Sequence, residues 1–242
     1  HNLLMVGPPG VGKTMLAARL TTILPSMSVD EALEVTRIHS VAGLVPDGVG
    51  LVERRPFRAP HHSITPAGLI GSASLRPGEI SLAHCGVLFM DELPEFPRHV
   101  LELLRTPLES REAVITRAFG SVRFPAGCAF VAAANPCPCG YLGHPTKACA
   151  CMPASIQRYQ SRLSGPLLER IDMHVSLQAL ESRDLLSVEP GETSAVVRRR
   201  VEAARRFQSA RYTGTSFRCN AELDGPAVRK AATLTEKAQA AM

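Results

Sequence analysis

The sequence predicts an α/β fold, a parallel β-sheet flanked by helices, followed by a shorter all-α segment. Three observations predict it. Apolar runs at residues 2–6, 85–90 and 130–134 show no polar alternation, as strands buried on both faces require. Helical periodicity lies between these runs, and beyond about residue 193 the pattern is helical only. The chain has 242 residues, 45% of them apolar and 20% charged, so it can bury a sizeable core without disulfides. A net charge of only +5 with that apolar content excludes disorder. No apolar stretch approaches the ~18 residues of a membrane-spanning helix. A pI near 9.0 permits a nucleic-acid partner without demanding one. The sequence opens inside an apolar strand, without an initiator methionine or signal peptide, and ends without turn chemistry. The expectation is a piece of a longer cytoplasmic protein.

The elements follow in order. After the first strand, Gly7 to Thr14 form a glycine-rich loop, and a helix runs from Lys13 to about Leu24, stopped by Pro25. Ser28 with Glu31 makes a capping box, and Ala32, Val35, Ile38 and Ala42 give the next helix its apolar stripe. Residues 43–80 are rich in Gly and Pro and too long for a plain loop, so they are expected to form an insertion with its own hairpin structure. The second strand ends in Asp91-Glu92. A helix follows from Pro97 to about Glu109, which Pro107 would end early. Residues 113–117 and 121–124 flank Gly120 as a hairpin, the third strand ends at Asn135, and residues 171–177 suit a further strand. A domain boundary is expected within about 180–191, separating residues 1–185 from 192–242.

Gly7-Pro8-Pro9-Gly10-Val11-Gly12-Lys13-Thr14 fits G-x-x-x-x-G-K-[ST] between a strand and a helix. The glycines let backbone N–H groups wrap a phosphate chain at the positive end of the helix. Lys13 would reach the β- and γ-phosphates, and Thr14 would hold Mg²⁺. Asp91, at the end of an apolar strand, offers hard carboxylate oxygen to the same ion. Glu92 is placed to polarise an attacking water. Tandem acids of this kind point to hydrolysis rather than transfer to a small acceptor. Asn135 can bridge the γ-phosphate and that water. An arginine should complete the site by neutralising phosphate charge. Arg158, Arg162 and Arg170 are all candidates, each of which could equally be a solvated surface charge.

The arrangement resembles AAA+ ATPases of the magnesium-chelatase-like branch, and most closely the competence protein ComM (YifB) family. The motifs that carry the resemblance are Arg55-Pro-Phe-Arg-Ala-Pro-His-His62, Pro77-Gly-Glu-Ile-Ser-Leu-Ala-His84, Asp91-Glu-Leu-Pro-Glu-Phe96 and Ser164-Gly-Pro-Leu-Leu-Glu-Arg-Ile-Asp172. The resemblance implies that Arg170 is an arginine finger acting on a neighbouring subunit's ATP, hence a homo-oligomeric ring, a hexamer. It also implies that residues 43–80 and 113–124 face a central pore, and that residues 192–242 begin a partial α-helical lid. The lid's second sensor arginine, in a Leu-Ser-x-Arg run, is expected beyond Met242. Arg54, Arg55 and Arg58 in the insertion, with Arg117 and Arg123 beside the hairpin tip, would together ring such a pore with positive charge, though any single one of them reads better as a solubilising charge.

Four of the seven cysteines, Cys137, Cys139, Cys149 and Cys151, crowd into fifteen residues. Without a secretory signal, that clustering favours metal over disulfide, and four thiolates close a structural Zn²⁺ site. The alternative is reduced free thiols. His144 is a substitute ligand. Cys85, Cys128 and Cys219 are scattered thiols, and the His61-His62 pair reads as packing or turn contacts rather than as a metal site. On the helix from about Thr193, Arg200 falls among the apolar residues and should snorkel or meet a partner charge. The expected function is a Mg²⁺-dependent ATPase motor acting on DNA, as in ComM-like branch migration during natural transformation. The alternatives are a chelatase subunit coupling ATP to Mg²⁺ insertion into porphyrin, and a MoxR-like protein-remodelling ATPase. The glycine-rich loop and the acidic pair do not separate these. No membrane partner is expected.

Overall fold

A computed structural model describes all residues except 47, 49, 118, 119, 180–190, 216, 233, 241 and 242, and the side chain of Arg117. It divides into two compact units, residues 1–191 and 192–242.

The first unit is built on a five-stranded parallel sheet. Its strands are β1 (Leu3–Val6), β2 (Phe57–Arg58), β3 (Val87–Met90), β6 (Ala129–Ala134) and β7 (Met173–Ser176). They lie in the order β2-β3-β6-β1-β7. In register, Leu3 pairs with Val131 on one side and Met173 on the other, and Val87 with Ala129. Alternate side chains of the central strands feed two separate cores. Leu4, Leu88, Met90, Phe130 and Ala132 face one; Met5, Val87, Phe89, Val131 and Ala133 face the other. This two-sided burial is why the strands read as unbroken apolar runs.

Helix α1 (Lys13–Ile23) covers the second face, with Ala17 fully buried. The first face is covered by α3 (Pro66–Ile70), α4 (Glu79–Leu82) and α5 (Arg98–Leu103), through Leu69, Ile80, Val100 and Leu101. Helix α2 (Val29–Val41) starts with the expected capping box, in which Glu31 N–H donates to Ser28 Oγ and Ser28 N–H to Glu31 Oε2. Its buried residues are Ala32, Val35 and Ile38.

Two expectations are corrected. Residues 43–80 do not form a hairpin of their own among the described residues. Phe57–Arg58 adds an edge strand to the central sheet beside β3, and Phe57 stacks on Phe89 with ring centroids 6.1 Å apart. Residues 66–82 hold the two short helices and a single antiparallel bridge, Gly71 to Pro77. Pro107, too, does not end its helix. The break comes three residues earlier, at Leu104, and α6 (Arg105–Ser110) starts anew with Pro107 in its first turn. First-turn N–H groups have no helical partner, so proline is tolerated there and not farther along.

The predicted hairpin is present as β4 (Glu112–Arg117) and β5 (Gly120–Pro125), a separate antiparallel pair. Helices α7 (Pro153–Gln160) and α8 (Gly165–Leu168) lead into β7. The expected boundary within 180–191 falls almost entirely outside the described residues.

The second unit holds α9 (Ser194–Arg211), α10 (Gly225–Ala231) and α11 (Glu236–Ala240). No residue of α9 is buried, and Phe207 is covered on one side by the Arg211 guanidinium, 5.3 Å from its ring. Arg200 meets a partner charge: it donates to both carboxylate oxygens of Glu192, at 2.9 and 2.8 Å. Among the described residues no helix is long and apolar enough to cross a membrane.

Candidate nucleotide site and cysteine centre

In a parallel sheet every strand delivers its C-terminal end to one edge, where ligands gather. Three adjacent strands bring candidate groups to that edge. β1 runs into the loop of Gly7 to Gly12, β3 into Asp91-Glu92 and β6 into Asn135. The loop closes with Gly10 and Gly12 at φ of +84° and +81°, left-handed geometry that glycine adopts without strain. Gly12 caps α1, so the helix's free N–H groups open toward the loop.

Lys13 is 9% exposed and folds back over the loop. Its Nζ donates to Gly7 O (2.7 Å), Pro8 O (2.9 Å) and Asn135 Oδ1 (3.0 Å). Desolvation lowers its pKa, while the carboxylates of Asp91 and Glu92 pull the other way. Thr14 Oγ1 donates to Asp91 Oδ2 at 2.5 Å, and Glu92 N–H donates to Asp91 Oδ1 at 3.0 Å. Lys13, Thr14, Asp91, Glu92 and Asn135, five of the six side chains singled out along the sequence for phosphate, cation and water chemistry, thus share one sheet edge; Arg170 does not. Thr14 and Asp91 present hard oxygen donors side by side, the donor chemistry that Mg²⁺ selects.

Glu92 is exposed, with its backbone in the left-handed region at φ +53°. Its Oε2 lies 3.9 Å from His62 Nδ1. The His62 ring packs against His61 at a 36° tilt, centroids 3.9 Å apart, and meets Phe96 edge-on. His61 Nδ1 accepts from Ser63 N–H (3.3 Å) and lies 2.8 Å from Ser63 Oγ. The pair therefore makes the packing and turn contacts expected of it, and in addition reaches Glu92. No local pattern signalled that reach, because His62 and Glu92 stand in different segments.

The arginines divide sharply. Arg55 is a structural staple: it donates to Pro25 O (2.6 Å), Cys85 O (2.6 Å), Ser26 O (3.2 Å) and both carboxylate oxygens of Glu31. Arg58 forms a two-pronged pair with Glu79, each contact 2.6 Å, and that pairing raises its pKa further. Neither is a free positive charge, which corrects their expected part in a phosphate-attracting ring. Arg123 is 72% exposed and reaches Glu112 at 3.2 Å; the side chain of Arg117 lies outside the described residues. Arg158 is exposed, and Arg162 is tied to Glu95 Oε2 and Pro94 O. Arg170 donates to Glu109 Oε2 (2.5 Å) and Pro166 O (2.7 Å), with its Nε buried and without a hydrogen-bond partner.

The four clustered cysteines converge. Cys137 Sγ lies 3.4 Å from Cys139 Sγ and 3.6 Å from Cys149 Sγ, and Cys139 to Cys149 is 3.6 Å. With Cys151, all four sulfurs lie within 4.8 Å of one another. A tetrahedral zinc–thiolate centre with Zn–S of ~2.3 Å has sulfurs about 3.8 Å apart, so the residues fit that ion. Backbone N–H groups of Cys139 and Cys151 point at the sulfurs of Cys151 and Cys149, as supporting groups around such centres do. Those of Tyr141 and Ala150 hold the Cys139 thiol down at about 6. Against the lowering N–H of Cys151, burial and the thiols of Cys139 and Cys137 push Cys149 up to about 12. Four thiols this close cannot all ionise without a cation among them. His144 instead accepts the N–H groups of Thr146 and Lys147 at its Nδ1.

Glu34, His84 and Cys85 also approach one another. His84 Nδ1 accepts from Gly127 N–H at 3.0 Å, which puts the ring proton on Nε2, facing Glu34 Oε2 at 2.9 Å. Both ring nitrogens are engaged, and no lone pair remains for a metal.

Comparison with known proteins shows the family of the chain. Residues 1–185 match the family model "Magnesium chelatase, subunit ChlI", and residues 191–242 match "Magnesium chelatase, subunit ChlI C-terminal". The chain is 46% identical over 242 residues to the competence protein ComM of Haemophilus influenzae, covering 98% of this chain and 46% of the relative. It is 46% identical over 235 residues to YifB of Escherichia coli K12, covering 95% and 44%. Similarity to the magnesium-chelatase 38 kDa subunit of Rhodobacter capsulatus is lower, 25% over 151 residues, covering 55% and 43%. The chain thus spans less than half the length of these relatives.

Proposed function

The chain belongs to the magnesium chelatase, subunit ChlI family of AAA+ ATPases, and from that premise we propose that it is the ATP-hydrolysing core of a ring-forming motor that acts on DNA. The observation that carries the hydrolytic part is the meeting of Thr14 with Asp91 and of Lys13 with Asn135 at one sheet edge. In this reading the backbone from Gly7 to Gly12 cradles the phosphates. Lys13 exchanges its carbonyl partners for phosphate oxygens. Thr14 and Asp91 hold Mg²⁺, which when bound offsets phosphate charge. Glu92 takes a proton from the attacking water, Asn135 orients that water, and Arg170 serves a neighbouring copy's ATP. The four cysteines hold a structural Zn²⁺, with no open position for chemistry.

DNA as the substrate is supported by the likeness to ComM along nearly the whole chain, and by the exposed Arg123 on the β4–β5 hairpin. A zinc–thiolate centre of this kind suits the cytoplasm, where thiols are kept reduced. The chelatase reading, with ATP driving Mg²⁺ insertion into porphyrin, is favoured by the similarity to the Rhodobacter subunit. The deciding measurement is ATPase activity of the full-length protein with and without single-stranded or branched DNA. Stimulation by DNA is expected. A response to a porphyrin-bearing partner complex in its place would overturn the DNA reading. Glu92→Gln should retain ATP binding and lose turnover; unchanged turnover would remove Glu92 from the base role.

A further inference from the structure

The loop that carries the cysteines lies directly against the nucleotide site. Cys137 is fully buried two residues after Asn135. Gly140, at φ +82°, has its backbone seated on the glycine-rich loop. A Cβ added there would stand 2.6 Å from Pro9 Cδ, 3.2 Å from Pro9 Cγ and 3.7 Å from Asn135 Cγ. Gly140 N–H donates to Cys137 O at 2.9 Å, so the glycine's place is set by the first cysteine. On the far side, Gln160 Nε2 donates to Pro136 O at 3.2 Å. Asn135 is held at its own Oδ1 by Lys13.

We infer that the four-cysteine centre is a positioning element of the nucleotide site, so that metal binding and nucleotide binding strengthen one another. The inference rests on the reading that the cysteines hold zinc. When the four sulfurs are clamped, the turn Cys137 to Gly140 is rigid, and Gly140 presses on Pro9 while Asn135 stays at the strand end. When the clamp is released, the turn is free to relax, and the loop that wraps the phosphates loses its backing on that side. Pro9 has no side-chain donor or acceptor that could replace this contact. Linkage then requires that whatever factor zinc adds to nucleotide affinity, nucleotide adds to zinc affinity.

The test uses the full-length protein, because a cysteine variant alone could fail by misfolding. Nucleotide affinity is measured with a fluorescent ATP analogue before and after zinc is stripped by a chelator under reducing conditions. Zinc release to a colorimetric chelator is followed with and without a non-hydrolysable ATP analogue. The expected results are an affinity about 10-fold weaker without zinc, and zinc release slowed by bound nucleotide. Gly140→Ala, which places a methyl group against Pro9, should weaken nucleotide binding while the zinc content stays unchanged. Equal affinities with equal release rates, or a Gly140→Ala protein with undiminished affinity, would overturn the inference. Metal analysis separates the two failures. Absence of zinc from reduced protein overturns the metal reading itself; zinc present but unlinked to nucleotide overturns only the positioning role.

Discussion

Lys13 Nζ stands 3.0 Å from Asn135 Oδ1, a bond between the helix that follows β1 and the end of the neighbouring strand β6. With its two bonds to Gly7 O and Pro8 O, this contact keeps the ammonium group folded over the glycine-rich loop. If Lys13 binds phosphate and Asn135 orients water, the two residues should fail differently. Lys13→Ala should weaken nucleotide binding about 100-fold. Asn135→Ala should leave binding within a few-fold and lower kcat by about 100-fold. Nucleotide titration beside steady-state ATPase kinetics checks this; an equal loss of affinity in both variants would contradict the division of roles.

Arg170 should act in trans. Arg170→Ala and Glu92→Gln proteins should each be nearly inactive alone. Mixed in equal amounts, they should regain turnover wherever an Arg170→Ala subunit with its intact Glu92 meets an intact Arg170 on its neighbour. Random assortment in a head-to-tail ring makes that about one interface in four. The mixed sample is expected near that fraction of the wild-type rate, measured by phosphate release. No recovery on mixing would remove Arg170 from the finger role.

Arg55 should matter for stability rather than for DNA. Its guanidinium is largely buried and carries Glu31 and three backbone carbonyls, so Arg55→Ala leaves several acceptors without partners. A loss of about 3 kcal/mol is expected, read by urea unfolding. The salt dependence of DNA binding should not change, because Arg55 is already neutralised by Glu31.

Cys128 offers a check with a pH sign. Desolvation pushes its thiol up to about 12, from an unfolded value of 9.0. Between those values the unfolded chain has released a proton that the folded chain still holds. Stability from this group is therefore intact below pH 9 and lost as pH rises toward 12. At pH 8 the folded protein should leave Cys128 unmodified by iodoacetamide, and urea should expose it; peptide mass spectrometry reads the difference.

How much of this was legible in the sequence depended on distance along the chain. β1, β3 and β6 could be read because each is buried on both faces and so writes itself as an apolar run. The loop around Gly7 to Thr14, the acids after β3 and the capping box at Ser28 are local patterns, and their side chains lie where local rules put them. β2 could not be read: it is two residues long, and one of them is Arg58, whose charge is met by Glu79 from α4. The break at Leu104 carries no local signal, since leucine is a good helix former, and Pro107 lies within the first turn of α6, where a proline is tolerated. The partners of Arg55, Arg170 and Glu92 lie in other segments, and only the folded chain brings them together.

The parallel sheet also sets the order in which the protein can assemble. β1 pairs on one side with β6 and on the other with β7, at Val131 and Met173 for Leu3. Both partners are translated long after it. Until they arrive, an apolar strand waits with two open edges, the state in which chains aggregate or bind chaperones. A nascent chain that stops before β6 cannot unite Lys13 with Asn135. On the proposed nucleotide reading, capture is then a late event in biogenesis, and it reports that β6 has joined the first strand.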